Sequence, residues 1–290
     1  MVAWVSMAAV ASMGAKTACG SIFDRKEIRA MKNVMWLVVL FPAALLAQSA
    51  FDGTWVVKLE QTQLPKKPEV YFLQNGVYEC DTCIPRIKVK ADGKDYPMAG
   101  SPYFSMVSVR QTADGVEITE KHKDKVVYSE TDSVSADGKT LTEEVVDMSA
   151  PNGEPVKAKE VFQRVAPGPD GASKISGSWQ AQQIKVLSAN GMTVTYHATE
   201  QGLQASTPGG EGYDAKFDGK EYRVHGVPVR STVCLKRVNA RTIEETDKTE
   251  GRVHYRVRMA VLGDGNSMKV TEIDEQRGTT MNYVMEKKAQ

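Results

Sequence analysis

The chain is written twice. Phe51-Asp52-Gly53-Thr54-Trp55 recurs as Ile175-Ser176-Gly177-Ser178-Trp179, 124 positions later. Asp92-Gly93-Lys94-Asp95-Tyr96 recurs as Asp218-Gly219-Lys220-Glu221-Tyr222, and Gly100 and Pro102 are matched by Gly226 and Pro228. "VVYSETDSVSADGKTLT" aligns with "VHYRVRMAVLGDGNSMKVT", and the closing "VFQRV" with "VMEKK". Landmarks that keep their order at a nearly constant offset mark a duplication. The period is far longer than the ~20–50 residues of a solenoid unit, so each copy is expected to be a domain in its own right. Residues 166–174, "APGPDGASK", read as the linker between a first domain at 51–165 and a second at 175–290.

Within each copy the elements are short strands. "SMVSVRQ" and "STVCLKRV" alternate with period two, as do "GVEITEK" and "RTIEETD". Asn75-Gly76 and the Asp-Gly pairs at 92, 137, 218 and 264 are turn signals. No segment carries a helical stripe of useful length. Eight to ten strands in each copy predict an all-β fold, two tandem antiparallel meander barrels, with a β-sandwich as the alternative.

The N-terminal region reads as address rather than structure. Met31-Lys32-Asn33 opens the uncharged run Val34 to Ala47, which is shorter than the ~20 residues of a membrane span and contains Pro42. A basic start, a short apolar core and the small residues of Ala47-Gln48-Ser49 describe a secretory signal peptide at 31–49. Residues 1–30 then read as a spurious extension ahead of the true start. The expected product is exported, periplasmic or extracellular, with no integral membrane span. Its balance of charge is close to neutral, with 37 Lys/Arg against 36 Asp/Glu in the whole chain, and nothing favours nucleic acid.

Each copy opens with Gly-x-Trp, at Gly53/Trp55 and Gly177/Trp179, and closes with a basic residue, Arg164 and Lys287. This resembles the lipocalin group of β-barrels. That resemblance implies a first-strand Trp packed under a last-strand base, closing the floor of each barrel. A fatty-acid-binding-protein-like barrel is a related alternative. Lys287 departs from the family's Arg and implies poorer stacking on the indole. The chain from 51 to 290 also resembles a class of exported bacterial tandem-repeat proteins with "NGVYECDTC" and "KVKADGKD", which offers no catalytic residues to transfer.

Cys80 and Cys83 form the one close cysteine pair. In an oxidising compartment they are expected to be joined in a local disulfide. Alignment sets Cys80 against Ser206 and Cys83 against Gly209, so the second copy has a plain turn there. Cys234, aligned with Ser108, is expected on the more polar face of its strand. Glu143-Glu144 and Glu244-Glu245 place neighbours on opposite faces of a strand. His122, His197, His225 and His254 show no metal-ligand spacing, and no metal, cofactor or catalytic residue is assigned. Tyr71, Phe72, Tyr103, Tyr196 and Tyr222 are candidates to line a pocket. The functional expectation is a non-catalytic binding or envelope-associated module for a small apolar ligand. The alternatives are a thiol-disulfide redox protein using Cys80 and Cys83, or a structural interaction protein with filled barrels.

Overall fold

A computed structural model describes residues 49–289. The extension at 1–30 and the signal peptide at 31–49, Ser49 apart, lie outside the described residues. The first copy supplies β1 (Gly53–Gln63), β2 (Glu69–Gln74), β3 (Val77–Cys80), β4 (Ile87–Lys90), β5 (Asp92–Pro97), β6 (Met106–Gln111), β7 (Gly115–His122), β8 (Lys125–Val134), β9 (Thr140–Asp147) and β10 (Val156–Pro167). The second supplies β11 (Gly177–Leu187), β12 (Thr193–Ala198), β13 (Gly202–Ser206), β14 (Gly212–Lys216) and β15 (Glu221–Arg223). It continues with β16 (Ser231–Asn239), β17 (Thr242–Thr249), β18 (Arg252–Val261), β19 (Ser267–Asp274) and β20 (Thr279–Lys287). The described helix is a single turn, α1 (Ala189–Met192), between β11 and β12.

These strands form two ten-stranded antiparallel sheets, each curled into a nearly closed barrel. Period-two alternation gives each sheet one apolar face to enclose: in "IKVK" Ile87 and Val89 are buried while Lys88 and Lys90 are exposed. Asn75 and Gly76, both at positive φ (53° and 72°), make the tight turn from β2 to β3. Asp92-Gly93 is not the expected turn. Gly93, at φ 78°, lies inside β5, where the register against β6 slips between Asp92 and Asp95 as a bulge. The second barrel is drawn together by paired backbone hydrogen bonds between Gly212 and His225, at 3.1 and 2.8 Å.

The two copies exchange their first strands. The sheet orders are β4-β3-β2-β11-β10-β9-β8-β7-β6-β5 and β14-β13-β12-β1-β20-β19-β18-β17-β16-β15. β11 therefore lies between β10 and β2 of the first copy, and β1 between β20 and β12 of the second. The Trp–base pairs expected within each copy are crossed as a result, because each Trp travels on the exchanged strand. Arg164 stacks on Trp179 at 4.0 Å, and the Lys287 ammonium lies 4.9 Å from the Trp55 ring. Both indoles are fully buried and donate to the carbonyl four residues back, Phe51 and Ile175, at 2.8 Å. Arg164 also donates to the carbonyls of Gly138, Ser176 and Lys174, whereas Lys287 reaches that of Ala50. The glycine of Gly-x-Trp makes room for the base: a Cβ on Gly177 would lie 2.7 Å from the Arg164 guanidinium and 2.4 Å from the Ala166 carbonyl.

The exchange welds the barrels together. β1 continues into Leu64–Pro68, and β11 into α1, so both crossings run through one junction. There Val145, Val156, Ala158, Ile184 and Leu187 form a small third core with Leu59, Leu64 and Met192 packed against it. The turns at the junction are reciprocal. Asn152, between β9 and β10, bonds to the carbonyls of Pro208 and Gly209 in the second barrel. Arg277, between β19 and β20, pairs with Glu69 of the first at 3.1 Å.

Candidate functional site

The second barrel holds a cavity of about 130 Å³. Its apolar wall comes from Val57, Val257, Met259, Val270 and Met285, together with Met192 of α1. Its polar wall is made by Glu245 and Asp247 on β17 and Glu272 on β19, with Tyr196, Tyr255 and Tyr283. Among the described residues no Lys, Arg or His lines it. Inward parity explains the arrangement: Ile243, Glu245 and Asp247 share one face of β17, and Val270, Glu272 and Asp274 one face of β19. Burial is the main cause of raised carboxyl pKa values here. It pushes Glu272 up to about 8, with Asp274 and Glu245 adding repulsion. Asp247 is raised well above its ordinary value by burial and by Glu245. Glu245 is raised by burial although Tyr213 Oη donates to it at 2.5 Å.

The first barrel is also acidic inside, but filled differently. Glu143 on β9 stands opposite Asp132 on β8 and opposite Glu160 on β10, so three carboxylates form one row across adjacent strands. They are 0 %, 1 % and 5 % exposed. Like charges directly opposite repel, so such a row has to be protonated or neutralised by a cation. Burial raises all three carboxyl pKa values, and Glu130 adds repulsion. Glu130, two residues before Asp132 on the same face, completes a group whose ligand oxygens lie within 4.8 Å of one another with Glu143 and Asp132. Tyr71 Oη donates to Glu143 at 3.0 Å, and Tyr128 Oη to Glu130. In the second barrel, pairing places Met259, Val270 and Tyr283 in the equivalent row. The duplicated scaffold thus carries two different interiors.

Between them lies a junction cavity of about 70 Å³, which Glu160 and Phe162 reach from the first barrel and Glu272, Asp274 and Met281 from the second. Arg277 enters this space from the β19–β20 turn, paired with Glu69 and 3.9 Å from Asp274.

The tyrosine candidates divide. Tyr196 lines the second-barrel cavity, and Tyr71 a space of about 10 Å³ in the first. Phe72 lies on the opposite face of β2 from the buried Tyr71 and Leu73. Tyr103 Oη reaches Thr249 at 3.4 Å, and Tyr222 Oη donates to Asp218 in a surface turn at 2.9 Å. Cys80 and Cys83 are joined by a disulfide beside that small space, which Cys83 lines. Arg86 pairs with both flanking acids, Glu79 and Asp81. Pairing sets Cys80 opposite Tyr71 and Ala205 opposite Tyr196, so the counterpart of Cys80 is the buried Ala205 and not Ser206. Cys234, expected on a polar face, is 1 % exposed.

The carboxylates themselves are what sequence reasoning missed. Glu143 and Glu245 do face inward, with Glu144 and Glu244 on the outer face bonded to Lys159 and Arg258. The available signal was parity: Glu130 and Asp132 share a face with Val134, and Glu143 with Leu141. Searches against protein families, characterised proteins and solved structures returned no match. Among the described residues no helix is long and apolar enough to cross a membrane.

Proposed function

We propose that the protein is an exported, non-catalytic binding module whose second barrel takes a small ligand with an apolar body and a positively charged head. One observation carries this reading: a cavity of about 130 Å³ lined by three carboxylates and, among the described residues, no basic side chain. Its size is close to the ~150 Å³ of a cavity that accommodates benzene. A purely apolar ligand would leave Glu245, Asp247 and Glu272 without a charge partner. An ammonium group would let Glu272 ionise and form a charge-assisted hydrogen bond. Export is supported by the uncharged run at 34–47 and by the Cys80–Cys83 disulfide. N-terminal sequencing of the mature protein, beginning after Ala47 or Ser49, checks it.

Three probes of one shape test the ligand class by calorimetry: benzylamine, benzyl alcohol and benzoate. Benzylamine is expected to bind once per chain, more weakly in Glu272→Gln, while benzoate is excluded. Equal binding of the alcohol, or an amine affinity indifferent to Glu272→Gln, contradicts the proposal.

A further inference from the structure

We propose that the first barrel holds one hard divalent cation between Glu130, Asp132 and Glu143. This goes beyond the amine reading, since it concerns the other barrel and other residues. Oxygens around one such ion lie at about 2.0–2.6 Å from it, so they are separated by no more than roughly twice that distance. Ligand oxygens of the three carboxylates all fall within 4.8 Å of one another. They come from two adjacent strands of one sheet, with Asp132 and Glu143 directly paired.

A second observation, independent of the carboxylates, points to an occupant. Tyr78 Oη is fully buried and has no hydrogen-bond partner among the described residues. Of the charged groups near it, Asp132 acts on it most strongly. Among the described residues no donor group of another residue type reaches either oxygen of Asp132, itself 1 % exposed; its hydrogen-bonding neighbour is the carboxyl of Glu130. Buried polar groups in folded proteins are normally satisfied, and orphans of this kind mark an ion or water. The space beside Tyr78, about 10 Å³ and bordered by Tyr71, Tyr128, Glu120 and Glu130 with Arg277 at its wall, accommodates one such particle and no organic ligand. Carboxylate oxygens select Ca²⁺, Mn²⁺ or Mg²⁺ over thiophilic metals. The second barrel lacks the site, because Val257, Met259 and Val270 stand where Glu130, Asp132 and Glu143 would be.

The test uses the full chain stripped with EDTA, with CaCl₂, MnCl₂ or MgCl₂ added singly. Calorimetry is expected to show one ion per chain, with a rise in melting temperature. Asp132→Asn should abolish that response while benzylamine binding in the second barrel is retained. Tyr78→Phe should weaken the ion by about tenfold, as loss of a supporting polar group does. Tb³⁺ on the unmodified protein should give tyrosine-sensitised emission that Ca²⁺ displaces, a readout that needs no variant to fold. Absence of both sensitised emission and thermal shift overturns the proposal, and so does an Asp132→Asn protein that binds the ion like wild type.

Discussion

Glu272→Gln, studied without ligand, isolates the strain of an acidic interior. Burial, with Asp274 and Glu245, raises the Glu272 carboxyl from 4.5 to about 8 in the folded protein. A raised carboxyl favours the folded state fully only below its unfolded value near 4.5. That contribution is lost progressively as pH climbs through about 8. Each pH unit in this window removes about 1.4 kcal/mol, giving a ceiling of roughly 5 kcal/mol. Glu272 lines a cavity and is half-buried, so screening reduces the figure to about 2–3 kcal/mol. Gln keeps the shape and stays neutral. Wild type and variant should therefore match near pH 5 and diverge above pH 6, the variant gaining about 5–10 °C in melting temperature by pH 9. Thermal unfolding followed by circular dichroism from pH 5 to 9 measures the difference. Parallel curves, or a wild type that gains on the variant at high pH, would refute the claim that Glu272 is held neutral by its surroundings.

Three further outcomes follow from the architecture. Arg164→Ala should cost about 2–4 kcal/mol in urea unfolding, since a stacked guanidinium with three carbonyl partners is lost, whereas Lys287→Ala should cost about 1 kcal/mol. Thr54 Oγ1 and Thr195 Oγ1 lie 2.9 Å apart, so a Thr54→Cys/Thr195→Cys protein should form a 54–195 disulfide detectable by peptide mass spectrometry. In an unexchanged chain Thr54 would face Val70 instead, and no such peptide would appear. Cys80→Ser/Cys83→Ser should lower stability by about 2 kcal/mol, as expected for so short a loop, and leave benzylamine binding unchanged because the cavity is in the other barrel. An affected amine affinity would show that the barrels are coupled through the junction.

What was legible in the chain, and what was not, follows from the same duplication. The period, the alternation and the turn at Asn75-Gly76 are local signals, and they specify two meander barrels. The exchange is invisible for the reason that makes it possible. β1 and β11 carry the same Gly-x-Trp, and β10 and β20 end on equivalent bases, so each floor accepts either strand. A weak signal existed in "LPKKP": Pro65 and Pro68 favour an extended path over a tight return from β1 to β2, which suits a crossing to the other barrel. The acidic interior was harder to read because parity tells which residues share a face, and only the register tells which of them meet. Asp132, Glu143 and Glu160 are each unremarkable in their own strands. Only β8, β9 and β10 side by side turn them into a row, and the matching row of Met259, Val270 and Tyr283 shows that the scaffold does not need it. Three neighbouring carboxylates add nothing to packing that the apolar version lacks. Two of them, Asp132 and Glu143, meet Glu130 beside the orphaned Tyr78 hydroxyl, and the proposed cation is what makes that grouping favourable inside the barrel.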